Sequence, residues 1–355
     1  VPARQNRADY RLSLEGKDLG PGSANTFAEA LRKQFLEKIS PRLVSLTLSE
    51  KRGGEADCLE LVLSDHDGKL DIPQPGAVLA LQLGWHDGPD VTPGLVDKGR
   101  FKVDEACWEG PPDVVTIRAR SADFAASFDR RREKPHVGRT LGAIVREIAT
   151  GQGLTAGVDS SLASIEVPVL DQDEMSDGAL LRMLGRHYDA AATVKNGTLL
   201  FAPIGAARAV SGTAIPAGAI TRRSGDHYSY RRGERGQFGG VEARWHDKDE
   251  AARKTVTIGG SGASGKPAKR LKRIYASEGA AKRAAEGAAK KMDRAQAEFE
   301  IELALGRPDL FPERPMGVSG FKPEIDARSW LVAEAEHTLT SDGGLMTKLK
   351  LEAGG

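Results

Sequence analysis

The segment Gly260–Pro267, GSGASGKP, follows the apolar run KTVTIG and carries the G-x-x-x-x-G-K core of a phosphate-cradling loop, with Lys266 as the cation that would reach the phosphates. The eighth position breaks the pattern. A nucleotide site needs a Ser or Thr hydroxyl there for Mg²⁺ and a backbone N–H for phosphate, and Pro267 supplies neither. A Gly/Ser connection between a strand and a helix accounts for the same residues, and an NTPase using Lys266 stands as its rival. Around Ser261 the nucleophile pattern G-x-S-x-G fails at Ala263. His66, His86 and His246 each precede an Asp, but the two nearest histidines, His227 and His246, are 19 residues apart, and Gly68 and Gly88 mark two of these dipeptides as turns. The acidic run Asp171–Asp177 could supply paired carboxylates. It also sits where negative charge favours a helix N-terminus, which is its expected role.

Cys58 and Cys107 are the only cysteines and are too few for a structural zinc site, so both are read as thiols, with no metal and no cofactor implied. Arg222–Gly240, RRSGDHYSYRRGERGQFGG, mixes cations and aromatics in a way that suits nucleic acid or a partner subunit. The formal net charge of +1 favours the subunit. Between residues 266 and 294 ten Lys or Arg stand against three Asp or Glu, giving a second basic surface. From these two stretches the candidate interface residues are Arg231, Arg232, Arg235, Phe238, Lys269, Arg270, Lys272 and Arg273. No sequence-specific nucleic-acid binding is expected, and the N-terminus lacks the apolar core of a signal peptide, so synthesis in the cytoplasm without membrane insertion is expected.

The elements that must carry these residues change along the chain. Val44, Leu46 and Leu48 alternate with polar residues, as do Leu59, Leu61 and Leu63 and then Val115 and Ile117, which predicts half-buried strands in a small barrel or sandwich. Phe27, Leu31, Phe35 and Ile39 predict one helix within this third. Leu141, Ile144, Val145 and Ile148 predict a second, with Thr140 as its cap and Gly151 as its stop; Ser176 caps a third. Asn196-Gly197 between two apolar runs predicts a tight hairpin. Ser277–Glu298 reads as a long helix whose stripe Ala281, Ala285, Ala288, Met292 and Ala295 docks on a sheet.

One strand-turn-strand unit occurs twice. In FKVDEACWEGPPDVVTIRAR (residues 101–120) and WLVAEAEHTLTSDGGLMTKLKLE (330–352), Phe101 matches Trp330, Val103 matches Val332, Glu105 matches Glu334 and Ala106 matches Ala335. Two copies of one hairpin suggest two related β-modules and an assembly role.

Residues spread from Leu43 to the C-terminus carry a family likeness: LVSLTLSEKRGGEADCLELVLSDHDGKLDIPQPGAVLALQLGW, GRFKVDEACWEGPPDVVTIRARSADF, TLGAIVREIA, VKNGTLLFAP, LALGRPDLFP, SGFKPEID and WLVAEAEHTL. As a set they resemble the phage late control gene D proteins, the tail hubs of contractile-tailed phages, which are related to VgrG-type hubs. Residues before 43, and the spacing around Asp171, fit that pattern less closely.

The resemblance implies a mainly β fold of two tube-type β-barrels, related by internal duplication, plus a small α/β domain. The expected division is 1–134 for the first barrel, 135–205 for the α/β insert and 206–355 for the second barrel with its long helix; 206–240 stays open between the two barrels. It further implies a homotrimer in the virion baseplate that joins the hexameric tail tube to the trimeric spike, meets tape-measure and baseplate wedge proteins, and does no chemistry. A hub of a tail-like injection or secretion particle is the alternative within that class.

Overall fold

The computed structural model describes residues 5–15, 42–53, 56–121, 128, 130–195, 197–233, 238–247, 250–259 and 267–354. The expected helix over Phe27–Ile39, the Gly260–Lys266 loop, Arg235, and Asn196 of the expected hairpin lie outside them.

Among the described residues six strands open the chain: β1 (Arg7–Glu15), β2 (Leu43–Lys51), β3 (Cys58–Ser64), β4 (Val78–Asp87), β5 (Gly94–Glu109) and β6 (Val114–Ser121). They hydrogen-bond antiparallel in the order β1-β4-β5-β6-β3-β2. Alternation puts Leu46, Leu48, Leu59, Leu61, Leu79, Leu81 and Phe101 into one core, each at most 1% exposed. Val44 breaks the expected alternation. The register of β2 slips between Leu43 and Ser45, so Val44 becomes the bulged residue and is 43% exposed.

An α/β portion follows, with β7 (Arg131–Thr140), α1 (Leu141–Gly151), β8 (Thr155–Val158), α2 (Ser160–Ala163), β9 (Glu166–Ser176), α3 (Asp177–Tyr188), β10 (Ala190–Lys195) and β11 (Thr198–Pro203). β7 pairs with β9, and β10-β11-β8 form a second small sheet. The Thr140 hydroxyl accepts from Ala143 N–H and the Ser176 hydroxyl from Ala179 N–H, so both caps act as expected. Gly151 is the last residue of α1, as expected; the chain turns away at Gln152 and Gly153, whose φ is +72°. Most of the acidic run is in β9, and its last member, Asp177, opens α3.

The remainder comprises β12 (Gly218–Thr221), β13 (Gly225–Arg232), β14 (Gly240–Asp247), β15 (Ala252–Ile258), β16 (Ala268–Tyr275), α4 (Glu278–Arg294), β17 (Ala297–Leu303), β18 (Pro315–Ser319), α5 (Pro323–Asp326), β19 (Trp330–Thr340) and β20 (Gly344–Ala353). The sheet β15-β14-β16 stands apart from the rest and carries α4, whose Ala281 and Ala285 pack with Val241 and Ala243. α4 starts at its Ser277 cap, as expected, but ends at Arg294 because Ala297 already opens β17.

The other six strands have the same sheet order as the first six. Taken in chain order, β12, β13, β17, β18, β19 and β20 occupy the sheet positions of β1 through β6, in the order β12-β18-β19-β20-β17-β13. One direction differs: β12 runs parallel to β18, whereas β1 is antiparallel to β4. The irregularities recur as well. The ladder between β5 and β6 slips at Asp104 and that between β19 and β20 at Ala333; β2 slips at Val44 and β13 at Asp226. Gly76 and Glu313, both with positive φ, donate to Val103 O and Val332 O, and the amides of Val103 and Val332 donate back to the next residue of the first pair, Ala77 and Arg314. β2 pairs antiparallel with β19, so all twelve strands form one hydrogen-bonded network.

Candidate assembly interface

The seam between β2 and β19 is where the two halves meet, and charge is buried along it. Glu50 comes from β2, Lys98 from β5, Lys195 from β10 and His337 from β19. The Lys98 ammonium donates to Glu50 Oε2 and, at 2.9 Å, to Pro308 O. Lys195 donates to Asp57 Oδ2 at 2.6 Å and to Glu50 Oε1 at 3.2 Å, and His337 Nε2 lies 3.2 Å from Glu50 Oε2. Burial alone would push the Glu50 carboxyl up, but Lys98, the His337 hydrogen bond and Lys195 together hold it well below the usual carboxylate range. Burial and the Lys98 charge push the His337 pKa down. Two carboxylates thus face two ammonium groups, a balanced set that joins β2, β5, β10 and β19. Such a set is suited to fixing one arrangement of modules rather than to moving protons.

Further bonds stitch the same junction. Trp85 Nε1 donates to Gly306 O at 2.9 Å. Arg52, after β2, pairs with Glu313 and Glu352 of the C-terminal half, and Arg294 at the end of α4 pairs with Asp189 after α3. Burial, then the charge of Arg273 and Arg283, lowers the His187 pKa to about 4, and the ring packs on Tyr275 of β16 at 5.6 Å between centroids.

The interface residues expected from sequence fall into two groups that the fold keeps on different sheets. Arg231 and Arg232 are exposed on β13, which among the described residues pairs with β17 alone and so ends the twelve-strand path. Lys269, Arg270, Lys272 and Arg273 are exposed on β16, an edge of the small sheet, where Arg270 pairs with Glu242 at 3.1 Å and Arg273 lies over the Tyr275 ring. Phe238 is half-buried just before β14. Among the described residues no group of three or more His, Cys, Asp or Glu could hold a metal ion. Both cysteines are exposed thiols. Sequence reasoning missed Glu50, Lys98, Lys195 and His337. His337 did leave a signal, since it shares the inward phase of Ala335 and Leu339.

Twenty strands among the described residues, a sheet shared by two like-ordered halves and ion pairs that join them define a multi-module assembly protein. A profile of the phage tail baseplate hub (GPD) family matches residues 56–343. The chain is 39% identical over 373 residues to the "Probable baseplate hub protein" of Escherichia phage 186, covering 94% of each. It therefore belongs to the phage tail baseplate hub family, whose members are virion tail components. Its fold is also that of a tail protein from Neisseria meningitidis MC58, at a TM-score of 0.65 and 12% identity, with 97% of this chain and 96% of that one covered. A more distant likeness, with a TM-score of 0.53 and 12% identity over 87% of this chain and 73% of the other, is to the E. coli c3393 protein, a component of the type VI secretion system. Among the described residues no helix is long and apolar enough to cross a membrane.

Proposed function

We propose that this baseplate hub protein is a homotrimeric adaptor without catalytic activity. Each chain supplies two barrel-like modules descended from one duplicated unit. The observation that carries the reading is the recurrence of one strand order with the same bulges in both halves, already joined edge to edge by β2 and β19. Three chains would present six such modules, matching a hexameric tail tube on one side and a trimeric spike on the other. Tape-measure and baseplate wedge proteins would meet the same particle. The proposed division is a first module over 1–134, the α/β insert over 135–205 and the second module over 206–355. Pairing of β12 with β18 and of β13 with β17 supports assigning 206–240 to the second.

Native mass measurement tests this, with and without the spike protein. The expected species has three times the 37.9 kDa chain mass, and a chain that stays monomeric in both cases overturns the reading. The fold likeness to the type VI secretion component favours one second reading, a hub of a tail-like injection particle, which would trimerise the same way.

A further inference from the structure

The seam inside the chain is a template for a seam between chains. In each half the β5-type strand changes partner at its bulge: β4 serves β5 up to Val103, and β18 serves β19 up to Val332. Beyond the bulge, β19 runs from Glu334 to Thr340 against β2. The corresponding stretch of β5, Glu105–Glu109, has no strand on that side among the described residues. It behaves as an unfilled core position: Trp108 is 52% exposed, whereas His337, its equivalent in β19, is 0% exposed. The other half of the template is also free. β13 is the counterpart of β2, and among the described residues its outer edge carries no strand.

We infer that β13 of one copy pairs antiparallel with Glu105–Glu109 of β5 in a second copy, in the register that β2 and β19 use within the chain. This rests on the trimeric adaptor reading and names the surface that would build it. The register follows from the ladders. Leu48 sits opposite Leu59, Leu59 opposite Ala119 and Ala119 opposite Val103; Tyr230 sits opposite Phe299, Phe299 opposite Leu351 and Leu351 opposite Val332. Tyr230 is therefore the equivalent of Leu48, and Trp108 that of His337. Since Leu48 faces His337, Tyr230 faces Trp108 across the new seam, Arg231 faces Cys107 and Arg232 faces Ala106.

Charge agrees with this geometry. The β5 segment carries Glu105 and Glu109, both exposed, and the β13 end carries exposed Arg231 and Arg232. Arg232 takes the place of Glu50, beside the Trp108 that replaces His337. The buried ion cluster of the inner seam thus gives way to a cation and an aromatic face in the outer one. The contact is heterologous, so it must either close into a ring or run on as a filament.

The native thiol of Cys107 makes the register testable. Directly opposed strand residues lie about 4.5–5.5 Å apart at Cα, within disulfide range. In a Cys58→Ser background, Arg231→Cys is expected to give, on mild oxidation with the spike protein present, a reducible covalent trimer as the largest species. Adding Cys107→Ser should abolish it. In a Trp245→Phe background, association should also shift the emission of Trp108 to the blue, since the other two of the four tryptophans, Trp85 and Trp330, are already buried, at 7% and 1% exposure. A trimer by native mass that forms no bond between Cys107 and the new cysteine, or that crosslinks from His227→Cys instead, overturns this pairing and leaves the adaptor reading standing. Absence of any trimer overturns both.

Discussion

At the scale of single residues, Glu50 carries the most consequence. Its carboxylate accepts from Lys98 and Lys195 and lies against His337, and the Glu50 and Lys98 side chains are only 4% and 3% exposed. Removing one partner of such a pair strands the other charge in a medium that solvates it poorly. Glu50→Ala is therefore expected to cost about 3–5 kcal/mol, the range for breaking a buried pair, read as a lower urea midpoint. The double substitution Glu50→Leu with Lys98→Met should recover much of that loss, because neither change then leaves a lone ion. If the single and double variants melted alike, the cluster would owe its contribution to packing rather than charge. Apart from the inward phase of His337, none of this could be read from the sequence. Lys195 and Asp57 are 138 residues apart, and only the folded sheet brings them within 2.6 Å.

Among the elements, legibility divides by range. The caps at Thr140, Ser176 and Ser277 are readable because a hydroxyl and the N–H it accepts from are three residues apart, and strand faces are readable because the period is two. Helix ends divide the same way: α1 ends at Gly151, where the sequence places its stop, whereas α4 ends at Arg294, short of the expected Glu298, since tertiary pairing of β17 decides where α4 yields. Bulges are hidden too, as Val44 illustrates. Their effect is nonetheless large. The extra residue Ala333 lets the first part of β19 pair with β18 and the rest with β2, while keeping Val332 and Ala335 both inward. Inserting one alanine after Ala335 should turn the residues that follow, up to Thr340, to the opposite face, carrying His337 away from Glu50. Amide exchange measures this: the β2 amides aimed at β19 should lose protection while the hairpin of β5 and β6 keeps its own. Unchanged protection of β2 would mean that the seam tolerates either face.

For the molecule as a whole, symmetry is the issue, because the two halves are alike only in their shared strands. The α/β portion, residues 131–203, lies between β6 and β12, and the sheet β14–β16 with α4 lies between β13 and β17; the first half holds no element at the corresponding place between β2 and β3 among the described residues. A trimer built from such chains should therefore show two symmetries at once. The inner ring, made of β1–β6 and their counterparts, would repeat six times to a first approximation, while the outer mass, made of the added α/β and β14–β16 portions, would repeat three times. In the proposed trimer the same inequality would reach the seams: three would hold the balanced Glu50 cluster and three would hold Trp108 and Arg232. Only the second kind joins separate chains, so dilution should open those three and leave the others intact. Rotational analysis of end-on particle images is the check. Strong sixfold power at small radius with threefold power outside it is expected, and threefold power at all radii would show that the two halves do not occupy equivalent places around the axis.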